Sequence, residues 1–209
     1  MSFFFTQDMF RFFKGYNFLM VDYPGYGYSE GDTGEEFMFS AADDVYDWAT
    51  RQADVDANNI VVIGYSIGTG VATYCASEKN ANGLILIAPY DEAMSLYNGA
   101  INSFYGPMRS LAKYRFNSLL YAKTVETEVQ VITSYGDEVI DYTLSQKLSD
   151  AFEHHKEIII LDDSVKHSQY FTQLKVMDTI SEFLQERLNV DKIDTVENII
   201  DVENTVVEE

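Results

Sequence analysis

Five short apolar runs punctuate the chain: Asn17–Val21, Ile60–Ile63, Leu84–Ala88, Val129–Thr133 and Ile158–Leu161. Each is rich in Val, Ile, Leu or Phe with almost no polar interruption, so each predicts a strand covered on both faces. Every gap between them exceeds the dozen residues that a parallel crossover needs. The gaps also carry helical spacing. Phe39, Ala42, Val45, Tyr46 and Ala49 form one apolar stripe, while Asp43, Asp44 and Asp47 project elsewhere. Phe171, Leu174, Met177, Ile180, Leu184 and Leu188 form a second. The pattern predicts an α/β fold, a mostly parallel sheet flanked by helices.

Residues 89–127 make the longest connection between strands. They include Tyr90, Met94, Leu96, Tyr97, Phe104, Tyr105 and Met108, which predicts a small helical insertion over the sheet edge rather than a bare loop. Residues 6–14 read as the remnant of a helix. The domain expected is a core of residues 1–189 containing that insertion, followed by an acidic tail, 190–209, rich in β-branched residues.

Charge narrows the function. The 209 residues carry 34 Asp and Glu against 14 Lys and Arg, a formal net charge of −20. No basic cluster exists to grip phosphates, which argues against a nucleic-acid partner. An anionic membrane surface would repel the chain for the same reason. The single cysteine, Cys75, forbids an internal disulfide and a Cys-rich zinc site. No run reaches the roughly 18 apolar residues of a membrane span. The Phe-rich start lacks the basic flank of a signal peptide, so the expected compartment is the cytoplasm. No metal cluster or phosphate-cradling loop is evident, and no cofactor is expected; the oligomeric state is not legible.

The chemistry centres on Gly64-Tyr65-Ser66-Ile67-Gly68, which follows the run Ile60–Ile63 directly and precedes a helix-compatible segment through Ala76. Gly-x-Ser-x-Gly between a strand and a helix has the form of a nucleophile elbow, a sharp strained turn that lifts the serine hydroxyl above the sheet. The rival reading is an ordinary strand–Gly–helix turn. A serine hydroxyl needs a base to take its proton, and the base needs an acid to orient it. In this architecture such groups gather at the carboxyl ends of parallel strands. Asp137 lies four residues beyond Val129–Thr133, and His167 lies six beyond Ile158–Leu161, in the order Ser, Asp, His. His154 and His155 precede the last strand, on the wrong side of the sheet. Glu138 and Asp141 are rivals of Asp137 by proximity.

These motifs resemble the α/β-hydrolase superfamily, in particular small serine hydrolases of the Bem46 type and related protein depalmitoylases. The likeness runs from about Phe10 to Leu188 and includes Tyr16 to Gly31, Gly64 to Thr69, Tyr114 to Ser118, Gly136 to Asp141, and His167. The resemblance implies Ser66 as nucleophile, Asp137 as acid, His167 as base and the backbone N–H of Ile67 as an oxyanion donor. Three departures stand out. Pro24 occupies a position where relatives usually carry Arg, Thr133-Ser134 stands where His-Gly is common, and Val165-Lys166 precedes the histidine where a Gly-rich turn is usual. In the family, the first three strands and the loop after the third come before the segment that begins at Met1. The expected sheet is therefore the N-terminally incomplete fold, strands 4–8 of the family. Losing that loop's oxyanion donor would cost a factor of about 10²–10³ in rate.

Two functions follow as expectations. One is a serine hydrolase cleaving carboxylic esters or thioesters of a small molecule or an acylated protein through an acyl-enzyme. The other is a non-catalytic relative that keeps the triad residues and binds a ligand or partner.

Overall fold

The computed structural model describes residues 13, 15–95 and 114–188. The tail 190–209, most of residues 6–14 and the middle of the 89–127 insertion lie outside the described residues. Four strands, β1 (Val61–Tyr65), β2 (Gly83–Ile87), β3 (Val129–Ser134) and β4 (Ile159–Leu161), form one sheet in the order β1-β2-β3-β4. All three pairings are parallel, with Val62 opposite Leu84, Leu86 opposite Val131 and Thr133 opposite Ile160. The crossovers contain α1 (Glu35–Ala49, before β1), α2 (Gly68–Glu78), α3 (Ser118–Ala122) and α4 (Tyr142–Ser149). A 3₁₀ turn (His167–Thr172) and α5 (Leu174–Leu188) complete the described chain.

The near-continuous apolar runs are explained by two-sided burial. Every residue of β2 is fully buried. Leu84 and Leu86 join a cluster with Ala72, Ala76, Ala122 and Leu148 from α2, α3 and α4. Ile85 and Ile87, of opposite parity, join the cluster that holds Val176, Ile180, Phe183 and Leu184 of α5. Gly83 is small because Phe183 of α5 packs on it: an added Cβ would lie 2.7 Å from that ring.

Local capping fixes the short helices. The Asn117 side chain accepts the Leu120 N–H at the head of α3, and the Asp141 side chain accepts the Thr143 N–H at the head of α4. The insertion begins and ends at one place. Ala93 N–H donates to the Arg115 carbonyl, and Leu119 N–H donates to the Asp91 carbonyl. Asp91 is buried and paired with Lys147 of α4 at 2.5 Å.

Two expectations need correcting in detail. The run Asn17–Val21 belongs to no ladder, and Leu19 and Met20 are exposed. Tyr16, Phe18 and Tyr23 instead hold this segment by packing on the core, and side-chain packing needs no backbone at ladder distance. Asp43, off the apolar stripe of α1 as expected from its spacing, accepts the Tyr74 hydroxyl at 2.8 Å and pairs with Lys79. In α5 the buried stripe takes in Val176 and Phe183, whereas Leu174 is 59% exposed. The helix begins at Leu174, and burial starts two residues on, at Val176 and Met177.

Leu86→Ala should lower the unfolding free energy by about 2–5 kcal/mol in a urea titration, the range for deleting a fully buried leucine. A loss under about 1 kcal/mol would contradict burial of β2 on both faces.

Candidate active site

Ser66 occupies the turn between β1 and α2 with φ of 52°, one of three non-glycine residues with positive φ among the described residues. Such a conformation costs on the order of 1–3 kcal/mol and persists only where the surroundings enforce it. The enforcement is visible. Ser66 N–H donates to the Ile87 carbonyl of β2, and the Ser66 carbonyl accepts both the N–H and the hydroxyl of Thr69. At Gly64 an added Cβ would come within 2.8 Å of the Gly68 carbonyl oxygen and the Thr69 Cα, so no larger residue lets the helix return so close. Ile67 stands at the head of α2, and its backbone N–H donates to no described group.

His167 reaches this turn from the loop after β4. Its Nε2 lies 2.8 Å from Ser66 Oγ, and its Nδ1 lies 2.8 and 3.0 Å from the two carboxylate oxygens of Asp137. An ionised carboxylate only accepts, so the ring proton sits on Nδ1 and Nε2 is left to accept the Ser66 hydroxyl. The structure thus brings Ser66, His167 and Asp137 into one hydrogen-bonded line, with the Asp137 side chain fully buried and the His167 side chain 14% exposed.

Asp137 is held on every side. Its Oδ1 accepts the backbone N–H groups of Val139 and Ile140, both at 2.9 Å, and its Oδ2 accepts the Tyr170 hydroxyl at 2.9 Å. Burial pushes its pKa up. The hydrogen bond from His167, those from Ile140 and Val139, and the His167 charge together outweigh that, leaving it below the ordinary carboxylate value. The two rivals by proximity have other duties. Asp141 caps α4, and Glu138 accepts the His167 backbone N–H at 3.1 Å, which draws its own pKa down. His154 and His155 are exposed, and the His154 carbonyl accepts the Val129 N–H at the amino end of β3.

Several contributors are not legible from spacing. The Tyr65 hydroxyl donates to the His167 carbonyl at 2.5 Å, and its ring stacks on the imidazole with centroids 5.3 Å apart. Burial, then the charges of Asp137 and Glu138, push the Tyr65 phenol up to about 12, so it stays a donor. Ser134, in the position that departs from His-Gly, stitches the two loops together. Its hydroxyl lies 2.8 Å from the carbonyls of both Asp162 and Val165, one of which takes its single proton, and it accepts the Gly136 N–H. At Gly136 an added Cβ would sit 2.2 Å from the Asp163 carbonyl oxygen, so glycine is what lets the acid loop touch the histidine loop. No residue from Asp162 to Lys166 has positive φ, which explains how Val165-Lys166 replaces a Gly-rich turn without strain. For Tyr65, Ser134 and Tyr170 the one sequence signal is adjacency to the motif residues.

Cys75 is no rival nucleophile, since burial pushes its thiol up to about 12. Among the described residues no group of three or more His, Cys, Asp or Glu converges as metal ligands. No described helix is long and apolar enough to cross a membrane. A cavity of about 630 Å³ opens at the head of α1, between Asp32, Glu36, Phe37, Phe39 and Tyr114. None of its lining side chains belongs to the Ser66–His167–Asp137 group.

Comparison with known proteins bears on this geometry. The family model for the alpha/beta hydrolase fold matches residues 5–105, a span that includes the Ser66 turn. The chain is similar to the α/β-hydrolase superfamily over 101 of its 209 residues. An uncharacterized protein of Mycobacterium tuberculosis is 28% identical over 173 residues, covering 82% of this chain and 61% of that protein. The lysophosphatidylserine lipase ABHD12 of Danio rerio is 28% identical over 160 residues, covering 69% of this chain and 41% of the lipase. The chain thus spans less than two thirds of the length of these relatives. Among solved structures, ferulic-acid-bound Est1E of Butyrivibrio proteoclasticus superposes with a TM-score of 0.65 at 17% identity, covering 81% of this chain and 76% of Est1E. That likeness establishes the α/β-hydrolase fold.

The Asp137 pKa gives a stability signature. A carboxyl whose folded pKa is depressed stabilises the fold above its ordinary value near 4 and loses that contribution as pH falls through the folded value. The stability advantage of the native protein over Asp137→Asn should therefore be full at pH 6 and shrink below about pH 4 in urea titrations. An advantage that grows on acidification would contradict the hydrogen bonds assigned to this carboxylate.

Proposed function

We propose that the chain is a serine hydrolase acting on carboxylic esters or thioesters through an acyl-enzyme. The observation that carries the reading is the continuous line from Ser66 Oγ to His167 Nε2 and from His167 Nδ1 to Asp137. In the first half-reaction His167 Nε2 takes the Ser66 proton as Oγ attacks the carbonyl carbon. The carbonyl electrons move to oxygen, and the Ile67 N–H at the head of α2 faces that charge. Collapse of the adduct expels the alcohol or thiol, which leaves with the proton from the imidazolium. A water molecule then gives its proton to the same nitrogen and attacks the acyl-Ser66 ester, and the imidazolium returns that proton to Ser66 Oγ as the acid is released.

Asp137 keeps the imidazole in the tautomer that can accept, and stabilises the cation formed when it does. The apolar side chains around the group suit an acyl chain. Ile67 flanks the nucleophile, and Tyr135 and Val139 flank the acid, and all three are about half exposed. The description of ABHD12 as a lipase and of the solved fold neighbours as esterases supports an ester as the bond cleaved.

A fluorophosphonate should label the protein at Ser66, and Ser66→Ala should abolish both labelling and hydrolysis of short p-nitrophenyl esters. His167→Ala should cut the hydrolysis rate by a factor on the order of 10³ or more. Labelling that persists in Ser66→Ala, or hydrolysis untouched by loss of His167, would overturn the assignment.

A further inference from the structure

The acid of the triad receives two side-chain donors from a single turn of chain. His167 Nδ1 and the Tyr170 hydroxyl both reach Asp137 Oδ2, at 2.8 and 2.9 Å. They lie three residues apart in the 3₁₀ turn His167–Thr172. A 3₁₀ helix has 3.0 residues per turn, so side chains at i and i+3 stand one above the other, whereas an α-helical turn would offset them by about 60° around the axis. The local geometry of the turn thus aims imidazole and phenol at the same carboxylate oxygen. We infer that Tyr170 is a positioning residue for the proposed hydrolysis, fixing the Asp137 carboxylate so that His167 meets Ser66 in one orientation. The inference rests on the serine-hydrolase reading above and adds to it a residue outside the triad.

The polar end of Tyr170 meets Asp137 Oδ2 and has the Thr133 hydroxyl beside it. The residue is fully buried, packed in the cluster that contains Val176 and Ile180 of α5, with its ring edge-on to both Tyr65 and His167. A phenol in the core needs an acceptor, and Asp137 Oδ2 is the one it meets. Burial, and after it the charge and hydrogen bond of Asp137, raise its pKa well above the ordinary tyrosine value, so it donates throughout the working pH range. The backbone N–H groups of Val139 and Ile140 fix only Oδ1. Tyr170 fixes the other oxygen, which removes the rotation about the Cβ–Cγ bond that would otherwise carry the His167 acceptor out of line.

A double-mutant cycle on the full chain separates this role from simple core packing. With a short p-nitrophenyl ester, Tyr170→Phe should lower kcat about tenfold, the loss expected for a hydrogen bond to a charged group, with KM unchanged. On an Asp137→Ala background the same change should cost nothing further, because the group through which Tyr170 acts is gone. Wild-type activity in Tyr170→Phe, or the full tenfold loss recurring in the double variant, would overturn the inference. A measurement on the unsubstituted chain covers the case in which Tyr170→Phe does not fold. The Tyr170 phenolic proton should be resolved by NMR as slowly exchanging in the native protein and lost in Asp137→Ala; its absence in the native protein would count against the inference. Failure of the serine reading looks different, since Ser66→Ala would then keep its activity.

Discussion

One imidazole joins two loops that the sheet itself does not join. His167 follows β4, Asp137 follows β3 and Ser66 follows β1, and between β1 and β3 runs the whole width of β2. Parallel strands in register bring all three carboxyl ends to one rim, but an open rim is wide, and a hydrogen bond tolerates only a few tenths of an ångström. The ring closes the distance because its two nitrogens point in opposite directions, one to the hydroxyl and one to the carboxylate. Whatever the molecule does with Ser66 depends on keeping that ring where it is.

Much of the surrounding structure can be understood as the means of keeping it there. Tyr65, inside the elbow motif, holds the His167 carbonyl and covers the ring face. Glu138 holds the His167 N–H, so both backbone polar groups of the histidine are fixed by side chains from other elements. Ser134 and Gly136 lock the acid loop to the histidine loop, the first through its hydroxyl and the second by having no side chain. The hydrogen bonds are individually modest, about 0.5–1.5 kcal/mol net each for neutral partners. Together they converge on the His167 loop, and the strain stored at Ser66 is small against the burial of β2 and the ladder that anchors the turn.

The fold was legible where the sequence pattern reports burial directly. Of the four runs that became strands, β2 and β3 are buried throughout and β1 and β4 are half-buried, and continuous apolar character is strongest where both faces are covered. Asn17–Val21 has the same pattern for a different reason: Tyr16, Phe18 and Tyr23 are anchors for packing, and an apolar run does not say whether its backbone has a neighbour. Leu174 misleads in the opposite sense, since helical phase alone does not reveal that the first residue of α5 is left exposed while Val176 and Met177 of the same turn are buried. The candidate site divides in the same way. Ser66, His167 and Asp137 follow from position, because chain order and strand ends constrain where such groups can meet. Tyr170, Tyr65 and Ser134 depend on which loop touches which, and on a 3₁₀ rather than an α-helical turn after His167, and none of that is periodic.

A crystal structure of the protein inhibited with a fluorophosphonate examines the arrangement at the point where it matters. Phosphorus should be bonded to Ser66 Oγ, with one phosphoryl oxygen within about 3 Å of the Ile67 N–H and the His167 ring still on Asp137. Phosphorus attached elsewhere, or a His167 ring turned away from both Ser66 and Asp137, would contradict it.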